Sequence, residues 1–514
     1  MAETSPTATD DASGASSAEP AAGPGSSADS GPPTDSGSSG AGTDSVARQG
    51  ARAPFAVPAL AVAGLIVSLM QTLVLPLLPE FMVSFHTSVA TVTWVFTATL
   101  LAGAVATPLL SRFGDMYGKK KMIMVAMVML VIGSLICAVS GSLALLIVGR
   151  AFQGVSSAMI PLAIGVIRDV VPRERVMTSI GIVSATLGVG GGLGLLVTGL
   201  INQHTSSYRP VFWISVVIGA LGLVLVAVFV PGAEGRNTNA RPDLLGAGLL
   251  AVWLVCLLLA ISEGPAWGWG SGRVLGLFAA AVVLCAVWVL VEQRVAEPLV
   301  RLGLLVGPRS LSTNLASMLL GFGMYAVFTL FTNLVQTPKA QAGYGLSGSV
   351  LDVGLFLLPE TVGAIVFSAL AGRFERRIGA AYALAVGCLF IAGGTVWLAI
   401  EAGHVYDMVG STSLQGIGFG IGYAALGALA VQHVPMDSTS IASGINSLVR
   451  TAGGSIGAAV TGSILSSQVI AHTDLPTLHA YVISFVILTA GTVLAASVAA
   501  GNGLRYGSRP PAAH

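Results

Sequence analysis

Charge is scarce in this sequence for its length. Only 9% of its 514 residues are Asp, Glu, Lys or Arg, against 54% hydrophobic residues and a mean hydropathy of +0.84. That deficit excludes an ordinary soluble domain and points to a chain solvated by lipid; nothing in it suits nucleic acid. Cysteine is scarcer still, with four residues in all. Cys137, Cys256, Cys285 and Cys388 lie far apart inside apolar stretches, without the paired spacing of a zinc site, and read as small core residues. Neither H-E-x-x-H, a G-x-x-x-x-G-K-[ST] phosphate loop, nor a strand-to-helix nucleophile elbow is present, so enzyme chemistry of those kinds is excluded and no cofactor is implied.

What the chain has in abundance is apolar runs of about 20 residues, the length that crosses roughly 30 Å of hydrocarbon as helix. Fourteen spans are expected, at 55–80, 91–110, 122–140, 143–167, 178–202, 210–230, 244–262, 273–292, 311–333, 348–371, 381–401, 408–431, 440–466 and 480–500. Before them, residues 1–52 hold seven acidic residues and, after Met1, no large aliphatic or aromatic side chain until Val46. Such a tail is expected to be disordered and cytoplasmic, with the first span acting as an uncleaved insertion signal. An even number of spans puts both termini on one side, and the basic residues say which. With the termini inside, only Arg209, Arg273 and Lys339 fall outside and Arg150 and Arg450 lie within spans, so the positive-inside rule favours a multi-pass protein with cytoplasmic termini.

The segment SRFGDMYGKKKM at 111–122, expected to be a short charged loop that gates the cytoplasmic side, is echoed 261 positions later by GRFERRIGAAYA at 372–383, and the flanking spans fall into the same register. Spans one to six then match nine to fourteen. The expected architecture is all-α: a first six-helix half at 53–230, a linker at 231–300 with two inserted helices, a second half at 301–501 and a tail at 502–514.

Four motifs carry a family resemblance over nearly all of residues 55–500. SRFGDMYGKKK resembles the G-x-L-A-D-x-x-G-R-K signature, keeping Asp115, Gly118 and the basic Lys119, Lys120 and Lys121 beside Arg112. LIVGRAFQGVSSA resembles the fourth-helix signature, with Arg150, Gln153 and Gly154 in place, and GVGGGLGLLVTGLI resembles the fifth-helix antiporter pattern through Gly190, Gly194 and Gly199, with Gly188 and Gly192 on the same helix. SSYRPVFWISVVIG at 206–219 resembles the segment leading into the sixth helix. The family they resemble is the fourteen-span drug:proton antiporters of the major facilitator superfamily. Resemblance implies alternating access, an amphipathic drug-like substrate, protons as the coupling ion, the bacterial plasma membrane as location and a monomer; a major-facilitator importer or exporter of one metabolite is the rival, and a channel suits the duplicated halves less well.

The same resemblance gives Arg150 a part in proton coupling, while a cytoplasmic position between spans two and three makes Asp115 a latch that pairs with nearby basic groups or a facing helix end when the cavity opens outward. On physical grounds Glu360, behind Pro359 in the middle of a span, is a second coupling candidate, with Asp352 two turns away. Many relatives carry an Asp in the first helix where this chain has Met70. That leaves Gln71, Gln153, Asn314 and Asn446, with Arg450, as candidates to line a cavity.

Overall fold

The computed structural model describes residues 40–506 apart from 88, 204, 206, 233–242, 296, 297, 299, 301, 303–306, 433, 472 and 474. The chain divides into two units between Ala47 and Arg48, and the arrangement below concerns the second. Helices follow in the order α1 Gly40–Thr72, α2 Leu78–Ser84, α3 Val89–Tyr117, α4 Lys119–Val139, α5 Leu143–Gly154, α6 Met159–Val170, α7 Arg173–Asn202 and α8 Arg209–Phe229. An inserted pair comes next, α9 Leu244–Trp267 and α10 Gly272–Glu292. The second half holds α11 Pro308–Gln336, the single turn α12 Lys339–Ala342, α13 Val350–Phe356, α14 Leu358–Ile378, α15 Ala380–Ile400, α16 Val405–Val431, α17 Thr439–Ser467 and α18 Leu478–Tyr506.

Among the described residues, 13 helical spans are long and apolar enough to cross a membrane; α5 with α6, and α13 with α14, each make one span. The expected thirteenth span is α17, 29 residues long but rich in Ser, Thr and Gly. It packs on α3, α6, α9 and α11, and a helix shielded by protein needs no apolar coat of its own.

Several boundaries moved for identifiable reasons. The first span ends at Thr72 rather than 80, because Pro76 lacks an amide hydrogen; a 3-10 turn, Leu75–Leu77, leads into α2. Helix begins at Gly40, within the stretch expected to be disordered, since extending an existing helix backwards avoids the nucleation penalty. Residues 1–39 of that tail, Arg236, Arg241 and Arg301, and residues 507–514 lie outside the described residues. The largest change concerns 111–122. It is not a loop: α3 runs to Tyr117 and α4 starts at Lys119, leaving Gly118 alone between them at φ 110°.

Three apolar cores hold the bundle. One lies inside the first half, around Leu60, Leu73, Phe81, Ile123 and Phe212. A second fills the other half, around Phe331, Phe419, Tyr481 and Phe485. The third joins the inserted pair to both halves: Leu250, Leu254, Leu258 and Trp288 meet Ala104 of α3 and Ile441, Ile445 and Leu448 of α17. Side-chain caps start these inserted helices, Asp243 accepting from the Gly246 amide at 2.8 Å and Ser271 from Val274 at 3.3 Å.

Candidate functional site

Asp115 sits in the last turn of α3, 8% exposed, against the start of α17. Its Oδ2 accepts the Ile441 amide at 3.1 Å, one of the first-turn N–H groups that a helix cannot satisfy internally. Lys119, first residue of α4, places its Nζ 2.6 Å from Asp169 Oδ2 and 3.7 Å from Asp115 Oδ1, and donates to the Gly165 carbonyl at 3.4 Å. Lys120 donates to the Ala227 carbonyl at 2.9 Å, while Arg112 remains half-buried on α3. From α6, Arg168 donates to Thr439 Oγ1 at 2.8 Å and to the Val434 carbonyl at 3.1 Å. Backbones are close here: a Cβ on Gly444 would meet Ser111 Oγ at 2.6 Å, so the serine standing in a glycine position of the motif is accommodated by a glycine opposite. Thus α3 and α6 of the first half grip the start of α17 in the second.

Away from this junction end a cavity of about 990 Å³, counted out to its open side, lies between the halves. Gln71 and Thr72 line it from the end of α1, Phe96, Thr99 and Thr107 from α3, Tyr325 and Phe328 from α11, and Ser447, Arg450 and Thr451 from α17. Arg450 is the one charged residue among its described lining. The guanidinium lies 5.6 Å from the Tyr423 ring centre and donates to Ser447 Oγ at 3.0 Å, so it points into protein and cavity rather than reaching for a membrane surface. Gln71 donates to Ser157 Oγ at 3.4 Å on the cavity wall.

Arg150 and Gln153 are brought together, but behind that wall. Arg150, 1% exposed, donates to the carbonyls of Met70 at 3.1 Å and Val95 at 3.4 Å and to Gln153 Oε1 at 2.6 Å; Gln153 passes the chain on to Ser134 Oγ at 2.7 Å. Met70 belongs to the last turn of α1, whose carbonyls lack helical partners. Met70, whose side chain carries no charge, therefore meets Arg150 through its backbone carbonyl. Among the described residues Arg150 makes no ion pair with an acid, and its Nη2 has no hydrogen-bond partner.

The glycines of α7 divide between two neighbours. A Cβ on Gly190 would lie 2.8 Å from the Leu69 amide, and one on Gly194 2.8 Å from the Leu69 carbonyl, both on α1. Gly192 faces Thr361 of α14, and a Cβ on Gly199 would meet Leu351 Cα of α13 at 2.8 Å; Gly188 makes only ordinary contacts, with Phe419 and Ala364. Helix α7 is a first-half helix bare on both sides, pressed against α1 and against the second half.

Glu360 is 2% exposed in the first turn of α14, just past the break at Leu357, and neither carboxyl oxygen finds a hydrogen-bond partner. It does not line the cavity, and its backbone packs closely on α16, where a Cβ on Gly416 would lie 2.7 Å from Glu360 Cα. Asp352 has a different occupation. It completes a capping box with Ser349, accepting from the Ser349 amide at 2.7 Å and hydroxyl at 2.8 Å at the start of α13. Asn446 and Asn314 bond each other, 3.1 Å from Nδ2 to Oδ1, below the main cavity.

Sequence reasoning passed over Glu263. It is 3% exposed within α9, next to Ser262, whose hydroxyl lies 3.2 Å from Thr97 Oγ1 of α3; the expected span stopped at 262, one residue short of this acid, whereas α9 continues to Trp267. Glu401, His404 and Asp407 also converge, their ligand atoms within 4.8 Å of one another, yet Asp407 already accepts from Trp397 Nε1 at 3.2 Å and the His404 amide at 3.0 Å.

A helical bundle built of two matched halves around a shared cavity defines a class, that of alternating-access membrane transporters. Residues 60–458 match the Major Facilitator Superfamily, and the chain belongs to that family; it is a multi-pass membrane protein. Among relatives, it is 30% identical over 80% of its length and 76% of the other's to the "Tetracenomycin C resistance and export protein" of Streptomyces glaucescens. It is 27% identical to "Multidrug resistance protein 3" of Bacillus subtilis, over 72% of each chain, and 29% identical to "Multidrug resistance protein Stp" of Mycobacterium tuberculosis, over 76% of this chain and 72% of that one. The crystal structure of the human organic anion transporter MFSD10 shares the fold, with a TM-score of 0.61 at 14% identity over 87% of this chain and 99% of the other.

Proposed function

We propose that this protein exports amphipathic small molecules across a bacterial plasma membrane in exchange for protons, with both termini cytoplasmic. The observation that carries this reading is the cavity between the halves, closed at the junction end by the Asp115 and Arg168 contacts on α17. Under the positive-inside orientation the junction end is cytoplasmic and the cavity faces outward, the state that releases an exported substrate. Three relatives named for drug or antibiotic resistance support the direction.

The lining narrows the substrate. It holds aromatic rings, hydroxyls and an amide, one guanidinium at Arg450, and no carboxylate among the described residues. A cationic drug would meet an unneutralised like charge in a low-dielectric site, so neutral or anionic amphipathic compounds are the preferred class. Glu360 is the proton carrier in this scheme. A carboxyl buried without donors is stable only when neutral, and gives up its proton when the halves move and water or a cation reaches it.

The test uses everted, respiring vesicles and tetracenomycin C as the first probe. Adding the compound to acidified vesicles releases protons from the lumen, and Glu360→Gln abolishes that release while the protein stays in the membrane. Export that persists at full rate after the pH gradient is collapsed removes the proton coupling.

A further inference from the structure

Two smaller cavities continue from the transport cavity toward the junction end: the first lies on the seam, between Ile160, Ile164 and Ser184 of the first half and α16 and α17 of the second, and the next leaves the seam and runs inside the second half. The first, about 300 Å³, shares Ser447 and Arg450 with the transport cavity and adds Ser443 and Asn446. These four residues form one polar face of α17, at helical spacing. The next, about 540 Å³, opens at the junction end beneath Arg309, Thr313, Asn314 and Asn502 and shares Ala430 with the first. Between the two stands the Asn446 to Asn314 hydrogen bond, 3.1 Å. Asn446 is held in place, its Oδ1 accepting from Ser317 Oγ at 3.1 Å and its side chain 4% exposed, and it in turn holds the half-buried Asn314.

We propose that the Asn446–Asn314 pair is a proton barrier, separating the transport cavity from the polar pocket at the junction end. This rests on the proton-exchange reading above. The latch at Asp115 shuts the seam between the halves but does nothing for the last stretch of this track, which leaves the seam beside Asn446 and runs within the second half. A file of waters along that track would short-circuit the gradient that drives export. An amide stops such a file because it neither gains nor loses a proton near neutral pH, whereas a carboxyl at the same place relays one. Arg450 reinforces the barrier from the cavity side, since a permanent cation repels a hydronium ion.

The full chain, reconstituted in liposomes holding a pH-sensitive dye, tests this without any substrate. Under an imposed membrane potential, Asn446→Asp and Asn314→Asp admit protons several-fold faster than the parent protein, while Asn446→Leu, an apolar plug, stays as tight as the parent. Folded aspartate variants that leak no faster overturn the barrier, as does a leucine variant that leaks equally. Failure of both aspartate variants to fold overturns it too, assigning the pair to structure alone. Because the leak is read with no substrate present, its outcome is independent of whether the parent protein releases protons on adding tetracenomycin C.

Discussion

At Gly118 and again at Gly379 the chain makes the same move: a helix to its last turn, one glycine at positive φ (110° and 85°), then helix again. Only glycine takes that conformation without strain, which lets two helices reverse direction with no intervening loop. The side chains around the two turns differ. At the first, Asp115 is buried on the α17 amides and Lys119 is paired with Asp169. At the second, the position aligned with Asp115 is Arg376, and it is exposed. Duplication accounts for the shared backbone; the charge pattern follows what each turn faces. A helix start with unpaired amides calls for an anion, and a turn open to solvent calls only for charge that stays out of the membrane.

This difference can be broken by substitution. The largest effect is expected at Asp115→Asn. Charge-assisted hydrogen bonds are worth about 1.5–3 kcal/mol, so losing the charge shifts the balance between cavity states by roughly tenfold or more and transport falls accordingly, read as uptake into everted vesicles. Next come Gly118→Ala and Gly379→Ala. Each costs about 1–2 kcal/mol through its left-handed backbone, visible as a lower midpoint of thermal unfolding in detergent, and the two losses should be similar because the backbone is shared. Smallest is Arg376→Gln, which leaves transport at the parent rate. A transport defect there as deep as that of Asp115→Asn would mean that both turns latch.

The family and the membrane-spanning fold were legible because each rests on a short motif or a periodic pattern: the charged and glycine signatures, and apolar runs of membrane length. Where one element stops was less legible. The motif at 111–122 looked like a loop because charge in a membrane protein marks an end, yet charged residues close a helix as well as a loop, and Gly118 alone was needed for the turn. Asp352 was weighed as a coupling acid although Ser349 three residues earlier spelled a capping box in the sequence itself. Arg150 was different again. Its partners, the carbonyls of Met70 and Val95, lie 80 and 55 residues away and carry no side-chain signature, so no reading of residue types could have found them.

The inserted pair has a mechanical consequence. Helix α9 touches α3 and α17, the two helices whose ends are joined by the Asp115 hydrogen bond and which must separate when the junction end opens. That bond is directional, so it is either made or lost. The contacts of Leu250, Leu254 and Leu258 are apolar, carry no preferred direction, and can trade one neighbour for the next as the helices slide. One set of contacts works as a catch and the other as a bearing, keeping lipid out of a moving seam without adding a second barrier to its motion.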